Sequence, residues 1–189
     1  MTIRLPHKVG TGITPKQFME GMQKNRERFE DIYRAFEWPN REDERYFRGF
    51  ANAKNLQVLI LCTDWCPDVI WNVPLLFRML EDAGVPVEVL PMEEHLETMD
   101  LFLTDGGRNQ PIVLFLDGEG TVLGKWGARP AYIQEVMNEF RRKNPDRTDP
   151  DYQEKVSRVR REIESIYRST DYVSAVVTEV RQLIASFGV

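Results

Sequence analysis

The spacing of hydrophobic residues changes along the chain, and each change marks an element. Between residues 14 and 36, Phe18, Met22, Phe29, Ile32 and Phe36 recur at sums of three and four, with Thr14 placed to cap and Pro15 in the first turn. This predicts one long amphipathic helix, stopped before Trp38-Pro39-Asn40. A shorter helix is predicted over residues 42–53, with Tyr46, Phe47 and Phe50 on one face. Residues 56–61 (LQVLIL) then form a nearly continuous apolar run, the mark of a strand covered on both faces. A helix is expected from Cys66-Pro67-Asp68, with Val69, Val73, Leu76 and Leu80 on its buried side and Gly84 at its left-handed end. Residues 85–90 read as a second strand, so the unit is a right-handed parallel crossover.

A short helix is predicted over residues 94–103, and Asp105-Gly106-Gly107 reads as a turn into a third strand at 111–116. Asp117-Gly118-Glu119-Gly120 separates it from a fourth at 121–126, an antiparallel hairpin. Pro130 opens a helix carrying Tyr132, Ile133, Val136, Met137 and Phe140. A polar segment with two prolines, residues 144–150, leads to two further stripes: Tyr152, Val156, Val159, Ile163 and Ile166, then Val173 to Phe187. Ser169-Thr170-Asp171 is the capped turn between them. The expected organisation is a helical extension over 1–55, a mixed α/β domain over 56–143 and a helical hairpin over 144–189.

Composition narrows the function classes. A chain of 189 residues that is 42% hydrophobic buries a sizeable core, and its apolar runs fall short of the roughly 20 residues that cross a bilayer. A membrane partner is not expected. Thirty acidic against 25 basic residues leave a net charge of −5, which gives no electrostatic footprint for nucleic acid. Residues 1–12 show no secretory pattern, so a cytoplasmic location is the expectation. The two cysteines, Cys62 and Cys66, are too few for a disulfide scaffold and are spaced by three residues rather than two.

The strand-helix-strand unit followed by a hairpin and a helix, with Trp65-Cys66 at the first strand-to-helix turn, resembles the thioredoxin fold. Pro74, eight residues after Cys66, has the spacing of the proline within the thioredoxin active-site helix. Pro111 before the third strand matches the family's cis-proline, and Gly127 its glycine after the fourth strand. The resemblance implies an α/β thioredoxin-like fold: a four-stranded mixed sheet flanked by helices, here with helical extensions at both ends. The whole chain looks like a group of uncharacterised bacterial thioredoxin-family proteins with an Asp-Trp-Cys-Gly-Asp-like motif that commonly lack the second cysteine. Pro67 stands here where that motif has glycine.

Two departures bear on chemistry. Thioredoxins carry a second cysteine three residues after the first, and that position is Val69; the buried acid found six residues before the nucleophile in many of them is Ile60. An acid serving an absent thiol would only cost burial energy, so the two losses are consistent. Cys66 at a helix start meets unpaired amides and the positive end of the helix dipole, which favour thiolate. Asp68 opposes this, and the two effects are comparable, so a thiol slightly below its free value is expected, with Asp64 and Asp68 as the modulating charges. Cys62 reads either as a small buried hydrophobe or as a resolving thiol for a mixed disulfide on Cys66. Trp65 and Trp126 read as aromatic flanks of the sulfur or as residues closing the core. His95, among Glu93, Glu94 and Glu97, reads as a solvated helix start. The cysteine spacing is poor for zinc, and no metal or other cofactor is expected.

Two functions remain. In the first the chain is a thiol-disulfide oxidoreductase of the monothiol kind: Cys66 attacks a disulfide on a protein or low-molecular-weight thiol, and an external reducing thiol releases it. Trp65, Pro67, Gln110 and Pro111 would hold the substrate. In the second the chain is a redox-inactive thioredoxin-fold module that binds a protein partner or a second copy of itself.

Overall fold

The computed structural model describes residues 2–49, 55–104 and 106–188. The apolar run after residue 55 becomes β1 (Gln57–Cys62), which lies parallel to β2 (Val87–Pro91) and antiparallel to β3 (Ile112–Leu116). β4 (Val122–Trp126) pairs antiparallel with β3, giving the order β2-β1-β3-β4. Alternation along β1 explains why its sequence is apolar throughout. Val58, Ile60 and Cys62 enter one core, whereas Leu59 and Leu61 enter a second with Leu114 and Met99.

The extensions do not form cores of their own. Three helices precede the sheet: α1 (Pro15–Gly21), α2 (Arg26–Ala35) and α3 (Arg41–Gly49). Phe18 of α1 and Phe29 of α2 meet Phe77 of α4 (Pro67–Asp82), with ring centroids 6.2 and 5.7 Å away. At the other end α6 (Ala131–Lys143) is followed by α7 (Tyr152–Ser169) and α8 (Tyr172–Ala185), and Val176, Val177, Val180 and Ile184 of α8 are buried in the same core. The first residues also line both sheet edges, through the bridges Ile13 to Val89 and Arg4 to Thr121. Each outer edge of the sheet is thereby bridged at one point.

Two predicted helices are broken. The expected helix over 14–36 is α1 and α2, separated by a turn in which Asn25 is left-handed at φ 57°. Its capping box at Thr14 forms as the sequence indicates. The period continues through the break because Met22 still points inward. The break itself is stabilised from outside, since Asp64 Oδ2 accepts the Gln23 and Lys24 amides at 2.7 and 2.9 Å, and Asn25 Nδ2 donates to the Asp64 carbonyl. The expected helix over 94–103 is a chain of short turns around α5 (Leu96–Met99), interrupted by His95 at φ −131°. The predicted continuation of α3 to residue 53, including Phe50, lies outside the described residues, as does Asp105 of the Asp-Gly-Gly turn.

α4 ends as expected, with Gly84 at φ 64°. Among the described residues no helix is long and apolar enough to cross a membrane.

Candidate functional site

β1 delivers the chain to Thr63-Asp64-Trp65, and Cys66 then caps α4 with φ −80° and ψ 125°. Pro67 occupies the first helical position, where a missing N–H costs nothing. The Cys66 thiol is half-buried and donates to the Gln110 carbonyl at 3.6 Å. The Gln110–Pro111 peptide bond is cis, and Pro111 opens β3. The carbonyl beside the sulfur therefore belongs to the residue before that proline.

The surroundings decide the charge on sulfur. Burial, then the Asp68 carboxylate, push the Cys66 thiol up to about 11, while the Val69 and Asp68 amides and the Arg129 guanidinium pull it down by less. The modest lowering expected from the helix start is overturned. The amides do act, but removing most of the water around the sulfur costs the thiolate more than they return.

Asp68 is not a solvated helix-start charge. Its carboxylate is buried in a bidentate pair with Arg129, Nη2 to Oδ2 at 2.6 Å and Nε to Oδ1 at 3.1 Å. Tyr167 of α7 donates its hydroxyl to Asp68 Oδ1 at 3.0 Å and accepts from Asn72 Nδ2 at 2.8 Å. Asn72 also donates to the Asp68 carbonyl. These four side chains tie the start of α4 to the segment after β4 and to the carboxy-terminal hairpin. Trp71 stacks on Tyr167 at 5.3 Å, and the Arg28 guanidinium lies 4.3 Å from the Trp71 ring centre.

The remaining predicted residues fall into separate roles. Asp64 holds the α1–α2 break, and its charge bears on Cys62 rather than on Cys66. Cys62 is fully buried in the core, and that burial pushes its thiol well above the ordinary range. Trp65 is 46% exposed, with Nε1 donating to Glu93 at 3.1 Å. Trp126 is buried and donates to Glu179 of α8 at 2.8 Å, so it closes the core and does not flank the sulfur. His95 packs against Lys8 Nζ at 3.2 Å, and burial and that cation lower its basicity. Both cysteines are free thiols.

Trp65, Cys66, Pro67 and Gln110 line a cavity of about 790 Å³ whose far wall is α7 and the segment before it. Arg129, Tyr167 and the arginines of that wall escaped the sequence reading. Asn72 left a trace there, as a polar residue four positions after Asp68 on an otherwise apolar helix face.

A model of the family described as thioredoxin matches residues 12–141. No curated protein matches the chain. Among solved structures, a Pseudomonas aeruginosa protein of unknown function superposes with a TM-score of 0.67 at 16% identity, over 93% of each chain. An HIV epitope-scaffold superposes with a TM-score of 0.64 at 16% identity, over 97% of this chain and 99% of its own. At such identity these likenesses speak to the fold, and their coverage includes the helical extensions.

Proposed function

Because the chain belongs to the thioredoxin family, we propose that it is a monothiol disulfide exchanger acting through Cys66. The observation that carries this reading is a half-buried thiol at a strand-to-helix turn, opening on a cavity beside Gln110 and Pro111, with buried Val69 where a resolving cysteine would stand. The Cys66 thiol gives its proton to solvent base, and the thiolate attacks one sulfur of a disulfide. A Cys66–sulfur bond forms as the substrate S–S bond breaks and the second sulfur leaves as thiolate. An external thiolate then attacks the mixed disulfide and returns Cys66 as leaving group, so one disulfide is exchanged for another. The resolving thiol is external in this reading, because Cys62 is sealed in the core.

Turnover of a mixed disulfide between a small thiol and a peptide, with an external thiol as reductant, tests the reading. Cys66→Ser is expected to reduce the rate to that of the uncatalysed reaction, and an unchanged rate overturns the proposal.

The second reading, a redox-inactive binding module, draws on the thiol being pushed up to about 11. At pH 7 only roughly one Cys66 in ten thousand is then thiolate. Alkylation alone does not separate the readings, since slow labelling is common to both; the Cys66→Ser turnover comparison does.

A further inference from the structure

We propose that the cavity beside Cys66 is a binding site for an anionic low-molecular-weight thiol, whose carboxylate or phosphate groups are held by Arg147, Arg160 and Arg161. The proposal deepens the exchange reading by naming its substrate class. The wall of the cavity facing Cys66 comes from the carboxy-terminal extension, and it carries these three arginines. Among the described residues none of the three has a carboxylate partner, although the chain is rich in acids and most of its other surface arginines are paired. Arg108, from the segment before Pro111, lines the cavity too but is engaged by Asp100 at 2.7 Å. A protein with net charge −5 thus presents a locally cationic chamber around its half-buried thiol.

Gln110 closes the opposite side of the same cavity and is only 4% exposed. The volume of about 790 Å³ falls within the range of small-molecule sites. The fitting molecule is therefore a thiol, or its disulfide, that carries acidic groups away from its sulfur. Guanidinium groups bind carboxylate and phosphate alike through paired N–H donors, so the geometry names the shared chemistry and the experiment separates the two.

Formation of the Cys66 mixed disulfide is followed by intact mass on the full chain with three reagents: oxidised glutathione, oxidised coenzyme A and neutral 2-hydroxyethyl disulfide. Each rate is divided by that of free mercaptoethanol with the same reagent. At low salt at least one anionic disulfide is expected to exceed the neutral one by about tenfold or more, an advantage that collapses at high salt. The same collapse is expected in the triple variant Arg147→Gln, Arg160→Gln, Arg161→Gln, whose changes are all at exposed positions. Preference for the first reagent assigns carboxylates, and for the second phosphates. Equal normalised rates for all three overturn the anion site and leave exchange standing. Should no reagent mark Cys66, the exchange reading fails instead, and the site is judged by calorimetry on Cys66→Ser protein with S-methylglutathione and coenzyme A. Binding that disappears in the triple variant supports the site; absent binding, or binding the triple variant retains, overturns it.

Discussion

Cys66 stands at a helix start, and yet the water it has lost outweighs the amides it has gained. Its alkylation by iodoacetamide is therefore expected to rise about tenfold per pH unit through neutrality, without a plateau below about pH 10. At pH 7.5 it should run roughly tenfold or more slower than free cysteine, the higher nucleophilicity of the thiolate offsetting part of its scarcity. A plateau near pH 7 would contradict the burial argument. Asp68 is the largest charge working against the thiolate, so Asp68→Asn should move the profile to lower pH. The same change leaves Arg129 buried without its partner, and a loss of about 3–5 kcal/mol in urea unfolding is expected. The position of Cys66 was legible from Trp65-Cys66-Pro67 and the apolar run before it. Its ionisation was not, because desolvation depends on side chains as distant in sequence as Arg129 and Tyr167.

At the scale of elements, the joints matter more than the helices and strands they connect. Gly127, straight after β4, has φ 122°, and a Cβ there would lie 2.1 Å from the Pro111 carbonyl oxygen. Gly127→Ala combines a forbidden backbone region with a backbone clash beside the site. It is expected to abolish cooperative unfolding or to lower the midpoint by more than 10 °C in a thermal melt, about the shift that several kcal/mol produce. The joint between α4 and α7 is polar and buried. Tyr167→Phe removes a hydroxyl that donates to Asp68 and accepts from Asn72, so about 1–3 kcal/mol should be lost in denaturant titration with far-ultraviolet dichroism unchanged. Hydrophobic period located α6, α7 and α8 because each keeps one apolar stripe against the core, whereas α4, buried nearly all round, was bounded by Cys66-Pro67-Asp68 and Gly84 as well. The period joined α1 to α2 because Met22 and Phe29 stay in phase, while the bonds that break the helix come from Asp64, about forty residues away.

The larger of the two cores is shared by three stretches of chain. α8 buries Val176, Val177, Val180 and Ile184, and its Glu179 accepts from Trp126 Nε1 and from the Ala131 amide. Truncation after Lys143 is accordingly expected to yield an aggregating or molten chain rather than a smaller folded domain, as measured by gel filtration and near-ultraviolet dichroism. A monomeric, cooperatively folded fragment would show that the hairpin is an accessory. From residue types and spacing came the succession of strands and helices along the chain and the candidate nucleophile, since these rest on local periodicity and turn chemistry, while the vacancy at Val69 is what the resemblance to thioredoxins implies. The cationic chamber, the Asp68–Arg129–Tyr167 joint and the protonated sulfur were decided only by the fold. Each depends on groups far apart in the chain that the fold brings together, the joint and the sulfur in a space from which water is largely removed, and no local pattern encodes that proximity.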